Sequence, residues 1–139
     1  MSIEVVPQPR IDQLVATVDG VPRRRTDHRG MVWFGGRQAP QTGSVTVIHK
    51  QTATIVTPFW LPDTLAYRSD RIAEVVVTIA ASVLYLPDTC ALAEVTARLA
   101  VNEQQPHLSH VLVQMQGSAR VPLGVSYDVT VLAPPDAVT

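Results

Sequence analysis

The stretch EVVVTIAASVLY, residues 74–85, decides the fold class because its apolar side chains recur with a period of two. Successive side chains of a β-strand point to opposite faces, so this pattern predicts a strand rather than a helix. One face of that strand is expected to carry Val75, Val77, Ile79, Ala81, Val83 and Tyr85. Proline removes a backbone donor, and Pro87-Asp88 is therefore expected to end the strand.

The same alternation returns twice in the C-terminal half, over residues 111–116 and 125–132. Gly117-Ser118 is predicted to turn the chain between these strands, and Pro134-Pro135 to stop the last one. Strands separated by turn residues, without an alternating helix, are typical of antiparallel sheets. The sequence therefore predicts an all-β protein, an antiparallel β-sandwich of immunoglobulin-like or jelly-roll type.

Residues 91–102 fit two structures. Their apolar residues alternate as in a strand, yet Leu92, Val95 and Leu99 are also spaced as on one face of a helix. The cleaner alternation and the neighbouring strands favour a strand.

The first third of the chain differs from the remainder. Residues 3–6 give a short extended signal, and 13–18 fit a strand or a helical turn before Asp19-Gly20. Glycine and proline punctuate residues 22–43 around one short apolar run, 31–34. The sequence thus predicts an extended N-terminal arm over 1–43 and a β-sandwich body over 44–139.

Composition excludes several classes of protein. The chain has 139 residues and a net charge of −1, and 41 of its residues are valine, isoleucine or threonine. These β-branched side chains favour sheets, and 46% apolar residues suffice for a folded core. No apolar run reaches the roughly 20 residues of a membrane span, and no signal peptide is visible. We therefore expect a protein without membrane contact, in the cytoplasm or within an assembly.

No residue pattern predicts catalysis, a cofactor or a metal site. Cys90 follows the acidic turn Asp88-Thr89, which disfavours a reactive thiolate, so it is expected to be structural. His107 and His110 lead into a strand, where odd spacing sends side chains to opposite faces, and no further ligands accompany them. The glycines near residue 35 are too irregular for a phosphate loop. The chain is expected to be no enzyme and to need no cofactor.

The most uneven charge distribution lies in the predicted arm. Five arginines against Asp27 give +4 locally, which leaves −5 for the remainder: Arg23, Arg24, Arg25, Arg29 and Arg37. Such a segment is either a solvated loop or a docking element for acidic protein surfaces. Trp33 and Phe34 would add apolar anchors. Nucleic acid is the least favoured partner, because the whole chain is almost neutral.

A second aromatic pair, Phe59 and Trp60, lies between Pro58 and Pro62 in a predicted loop. These side chains could form a contact patch or plug one end of the body. The candidate interface residues are Arg23, Arg24, Arg25, Arg29, Trp33, Phe34, Phe59 and Trp60.

The valine- and threonine-rich body, the arginine-bearing arm and the closing strand VSYDVTV, residues 125–131, resemble small accessory structural proteins of tailed-phage virions. Capsid decoration and neck proteins are the nearest kinds. The resemblance implies a non-enzymatic homo-oligomer that docks on a protein lattice in the virion, and it transfers no individual functional residue.

Two alternatives stay open. A small β-barrel enzyme or binder could hold an apolar molecule against Val75, Val77, Ile79 and Tyr85. A nucleic-acid module would use the arginine-rich arm and lose affinity steeply with salt.

Overall fold

The computed structural model describes residues 3–35, 51–83, 90–121 and 123–139. All strands in these ranges pair antiparallel, which confirms the all-β prediction. The strands are β1 (Ile3–Pro7), β2 (Ile11–Ala16), β3 (Pro22–Phe34), β4 (Gln51–Trp60), β5 (Tyr67–Arg68), β6 (Val76–Val83), β7 (Cys90–Val101), β8 (Leu108–Val121) and β9 (Leu123–Ala133). Two short 3-10 helices cover Ser69–Glu74 and Pro135–Ala137.

The five strands of sheet A are organised around β3. β9 pairs along one edge of β3, from Arg24 opposite Ala133 to Phe34 opposite Leu123. β1 and β2 pair with successive parts of β3 and therefore share its other edge. β6 completes the sheet beyond β9.

This pairing corrects the predicted arm. Residues 3–34 are three integral strands of sheet A rather than an extension from a body that begins at residue 44. The interpretation of residues 22–43 as loops is likewise replaced, over 22–34, by the thirteen-residue strand β3. Residues 36–43, including Arg37, lie outside the described part of the chain.

Sheet B is built around β8, with β4 and β5 on one edge and β7 on the other. Residues 90–101 form the strand β7, which confirms the favoured alternative for this segment. Gly117-Ser118 is not a turn, because β8 continues to Val121. The register between β7 and β8 instead shifts at Leu92/Glu94, opposite Gly117.

The inward faces of both sheets share one core. Alternate residues of β9 from Val125 to Val131 are at most 2% exposed, as their period-two pattern predicts. They pack in one cluster with Val32 of β3, Ile55 of β4 and Met115 of β8. β6 contributes half-buried side chains, because it lies at an edge of sheet A.

The predicted loop around residues 58–62 is also corrected. β4 continues through Pro58 to Trp60, Leu61 is buried, and only then does the chain turn at Pro62-Asp63. Proline is tolerated in an edge strand, and β4 pairs with β8 alone among the described strands. Asp63 has a φ of 55°, in the left-handed region.

Candidate docking surface

The alternation of β3 separates the candidate interface residues into two faces. Arg23, Arg25, Arg29 and Trp33 lie on the outer face, opposite the buried positions of the strand. Arg24 is on the inward face, at the end of the sheet, and Phe34 is fully buried in the core. Phe34 is therefore a packing residue and has no surface to offer a partner.

The arginines of β3 are paired with carboxylates. The Nε atoms of Arg25 and Arg29 lie 3.2 Å from oxygens of Asp27 and Asp128, and Arg24 Nε lies 3.4 Å from Asp12. Arg23 has a looser contact with Asp19 at 3.9 Å. Asp27 is already counted in the local excess of +4, and the fold brings three further acids beside these arginines, Asp12, Asp19 and Asp128. These acids reduce the positive charge that a polyanion would meet.

The aromatic candidates are only partly exposed. The indole of Trp33 lies against Gly124, where an added Cβ would be 2.9 Å from two of its ring carbons. Phe59 is half-buried against the core, whereas Trp60 is 43% exposed on the outer face of sheet B. The ring of His110 meets Trp60 edge-on, with centroids 6.3 Å apart.

Among the described side chains, the most exposed apolar one lies at the tip of the hairpin that joins β2 to β3. Val18 is fully exposed there, and Val21 is 42% exposed. The turn beneath them is fixed, because the Gly20 amide donates to the Thr17 carbonyl at 2.8 Å and the Val21 amide donates to the Asp19 carboxylate at 3.1 Å. The Thr17 hydroxyl also donates to Asp19, and Gly20 has a φ of 75°. The turn therefore presents Val18 rigidly to solvent.

Three adjoining clefts surround this tip. Two of them, of about 580 and 520 Å³, share Arg23 and Glu74, and a third of about 340 Å³ shares Pro135 with the first. We give the name hairpin-tip surface to seven of their lining residues: Leu14, Val18, Val21, Arg23, Glu74, Val76 and Pro135. Leu14 and Val76 are 72% and 56% exposed.

The charges around the hairpin-tip surface are also paired. Arg71 donates to the carboxylate of Asp136 at 2.8 Å and to that of Glu74. The hydrogen bond from Arg71 lowers the pKa of Asp136, and both carboxylates raise the pKa of Arg71. The surface is thus apolar with a rim of both signs of charge. Sequence reasoning missed it, although the valines that flank the predicted turn at Asp19-Gly20, Val18 and Val21, were the available signal.

Near the hairpin lies a group of polar residues, three of them buried, that the sequence did not predict. We call it the polar seam: Arg10, Asp12, His28, Asp63, Tyr67 and Ser109. His28, Tyr67 and Ser109 are at most 3% exposed, and His28 Nε2, the Tyr67 hydroxyl and the Ser109 hydroxyl find no hydrogen-bond partner within the described ranges. Burial raises the pKa of Tyr67.

Arg10 closes the polar seam on the outside. Its guanidinium donates to the Asp12 carboxylate at 3.0 Å and to the carboxylate and carbonyl of Asp63 at 2.8 and 3.1 Å. Asp12 also accepts the Thr26 hydroxyl at 2.9 Å. Because Asp63 follows β4, Arg10 links the edge of sheet A to sheet B.

The residues considered for other chemistry are not brought together. Cys90 begins β7, and its side chain lies outside the described part of the structure. His107 is exposed, whereas His110 Nδ1 lies 3.3 Å from the Thr64 hydroxyl. Over the described ranges, no group of three or more histidine, cysteine or acidic side chains could hold a metal ion, and no helix has the length and hydropathy to cross a membrane.

The chain was compared with protein families, with curated proteins and with solved structures. No protein family, no curated protein and no solved structure matches the chain.

Proposed function

We propose that this chain is a non-enzymatic structural protein that docks on neighbouring copies of itself within a protein assembly. One observation carries the proposal: four exposed apolar side chains surround three adjoining clefts at the hairpin-tip surface. Apolar side chains grouped in this way on a folded surface are typical of protein contact sites.

The charged rim favours a second copy as the partner. Arg23 comes from the hairpin, whereas Glu74 follows β5 on the facing wall of the same clefts. In a two-fold contact each surface patch meets its own copy, so Arg23 of one chain can face Glu74 of the other. A rim that carries both positive and negative charges is complementary to a second copy of itself. A polyanion would be repelled by the acidic residues of the rim as well as attracted by its arginines.

The finer proposal follows the resemblance of the sequence. We propose an immunoglobulin-like or jelly-roll sandwich that acts as a decoration or minor capsid protein in a virion, as a homo-oligomer on a protein lattice. Arg25, Arg29 and Trp33 on the outer face of sheet A are the further candidates for contact with that lattice. The support is their common face on β3 and the exposure of the two arginines.

The test is the mass of the protein in solution, measured by light scattering over a range of concentrations. The wild-type chain is expected to be oligomeric, and Val18→Asp combined with Val76→Asp to be monomeric, because a charge buried without a partner opposes the contact. Val56→Asp is the matched control, since Val56 is 59% exposed on the outer face of sheet B. A monomeric wild-type protein, or an oligomer that survives the double substitution, contradicts the proposal.

A second candidate function rests on a smaller cleft between β6 and β7. Its volume is about 260 Å³, and its lining includes Val75 and Val77, two of the residues expected to face an apolar ligand. Ligand pockets usually measure about 300–1,000 Å³, so this cleft supports a binder less well than the hairpin-tip surface supports docking. Native mass spectrometry tests this candidate. If it detects a co-purified small molecule that the Val77→Asp variant does not bind, small-molecule binding becomes better supported than docking.

A further inference from the structure

β6 is the one edge strand in the described part of the chain that carries no feature opposing further pairing. It pairs with β9 alone and without a register shift, and its eight residues, VVTIAASV, include no charge, proline or glycine. Every second residue of an edge strand turns its backbone amide and carbonyl away from the sheet, where another strand can bind them. The β6 edge is therefore a template for an added strand, since uncharged segments rich in β-branched residues pair readily.

The other edge strands differ from β6 in this respect. β1 ends in Pro7, β4 contains Pro58, β2 carries the charged Asp12, and β5 has two residues. β7 carries the charged Glu94, at which its register with β8 shifts. Proline, charge, bulges and short length are the usual means by which proteins prevent edge pairing. Because β6 has none of these, its edge is the place that best fits a partner strand.

The cleft between β6 and β7 suits the side chains of an added strand. Its volume is about 260 Å³, and its apolar lining includes Val75, Val77, Ala97 and Leu99. β6 is an edge of sheet A and β7 is an edge of sheet B, so the cleft lies between two sheet edges. A strand paired with β6 would point every second side chain inwards, towards this cleft. Apolar side chains at those positions would cover Val77, which is half-buried in the free chain.

Arg98 adds a positive charge to the wall of the same cleft. It is exposed and forms no ion pair within the described ranges. Every other arginine with a described side chain lies at most 3.9 Å from a carboxylate oxygen. A guanidinium binds carboxylates through its planar fork, so an acidic side chain on the added strand would give Arg98 its partner. A second copy of β6 would leave Arg98 unpaired, because β6 carries no acidic residue.

We propose that the β6 edge binds an extended segment of a different protein, with apolar side chains in the cleft between β6 and β7 and one acidic side chain on Arg98. Backbone hydrogen bonds to β6 give the affinity of such strand addition, and the side chains that face the cleft give its specificity. Binding requires no second copy of this chain, so the inference goes beyond the proposed function and does not depend on it.

A synthetic peptide, named the glutamate peptide, tests the proposal on the full chain. It has eight residues, the length of β6, and alternates valine with threonine, with glutamate in place of one central valine. When it binds, the amides within 76–83 that do not pair with β9 should exchange about tenfold more slowly in NMR, the effect of one added hydrogen bond. Amides 52–57 of β4, at the opposite edge of sheet B, should keep their exchange rates.

Peptide variants separate the two parts of the recognition. The lysine peptide, which has lysine in place of the glutamate, should bind about tenfold more weakly in calorimetry, because a like charge then faces Arg98. N-methylation of the glutamate peptide's backbone amides should abolish binding, because it removes the donors and leaves the side chains unchanged.

Arg98→Glu should reverse the preference, so that the lysine peptide binds more tightly than the glutamate peptide. Arg68→Glu is the matched control, because Arg68 is also exposed and lies on β5, at the opposite edge of sheet B. It should leave both affinities unchanged. Arg98→Gln should bind both peptides equally, and it gives an independent reading if Arg98→Glu does not fold.

Four results would overturn the proposal. Three of them are a glutamate peptide that does not bind, equal affinities of the wild-type chain for the glutamate and lysine peptides, and a preference for glutamate that persists in Arg98→Glu. The fourth is a peptide with the sequence of residues 76–83 that binds as tightly as the glutamate peptide, which would identify a second copy of the chain as the occupant.

Discussion

Alanine at Gly30 is expected to destabilise the protein by crowding the junction of β1, β3 and β9. A Cβ there would lie 2.5 Å from the Tyr127 hydroxyl oxygen and 2.6 Å from the Val6 carbonyl oxygen, whereas ordinary contacts begin at 3.4 Å. Both neighbours would have to retreat by almost an ångström, and Val6 contributes a backbone atom that is fixed in the β1–β3 pairing. Overpacking of this kind costs about 1–3 kcal/mol. Alanine regains about 0.5–1 kcal/mol of backbone entropy, so the net loss should be about 1–2 kcal/mol.

Urea unfolding followed by circular dichroism measures this loss. Gly124→Ala is the matched control, because the atoms nearest its Cβ would be ring carbons of the half-buried Trp33 at 2.9 Å and the Met31 methyl at 3.2 Å, which belong to side chains that can shift. We expect that variant to lose less than Gly30→Ala. Adding Tyr127→Phe to Gly30→Ala should recover part of the loss and leave the contact with the Val6 carbonyl. The reasoning fails if Gly30→Ala is as stable as the wild-type chain or if Gly124→Ala costs more.

The remaining predictions concern Phe34, Trp33 and Tyr127. Phe34→Ala should cost about 3–5 kcal/mol because the ring is fully buried, whereas Trp33→Ala on the outer face should cost markedly less; equal losses in thermal unfolding would contradict this placement. Burial raises the pKa of Tyr127 to about 12 from an ordinary value of 10.0. The folded chain therefore holds this proton more tightly, so stability should be complete below about pH 10 and decline between about pH 10 and 12. Unfolding measured across that range should show a flatter decline for Tyr127→Phe, and an equally steep one would refute the assignment.

Hydrophobic alternation predicted β6, β7 and β9 because their inward positions are apolar. β3 was recognised only at its end, residues 31–34. Its inward positions before that are Thr26, His28 and Gly30, which carry no apolar signal although they are buried. A strand whose buried face is polar has the sequence pattern of a loop. Pairing with β9 keeps this part of β3 in the sheet.

Pro58 and Gly117 misled the sequence analysis in another way. Both residue types usually mark turns, yet here each occupies a strand. Pro58 is accommodated at an edge of sheet B, and Gly117 lies where the β7 register shifts. Local sequence does not say which strand will be an edge or where a bulge is required, because tertiary pairing decides both.

The candidate site was less predictable than the fold. The residue types of Arg25, Arg29 and Trp33 identified them as candidate interface residues. The period-two alternation of β3 then places these three on the outer face and Phe34 on the buried face. The acids that pair with Arg29 and Arg24 could not be found from local sequence, since Asp128 lies 99 residues from Arg29 and Asp12 lies 12 residues from Arg24. The contribution of Val76 to the hairpin-tip surface depends on the same long-range pairing.

The pairing of β3 with β9 also determines when the chain can finish folding. Sheet B takes its strands from residues 51–121, whereas β3 must find a partner that is about 100 residues further along the chain. Ribosomes add about 5–20 residues per second, so a nascent β3 remains without β9 for roughly 5–20 s. During that interval an edge of β3 that ends in Val32 and Phe34 is open to strands of other chains. The polar and charged residues at 23–29 of the same strand make most of that edge a poor template for aggregation, which is a reason for a central strand to carry so many arginines.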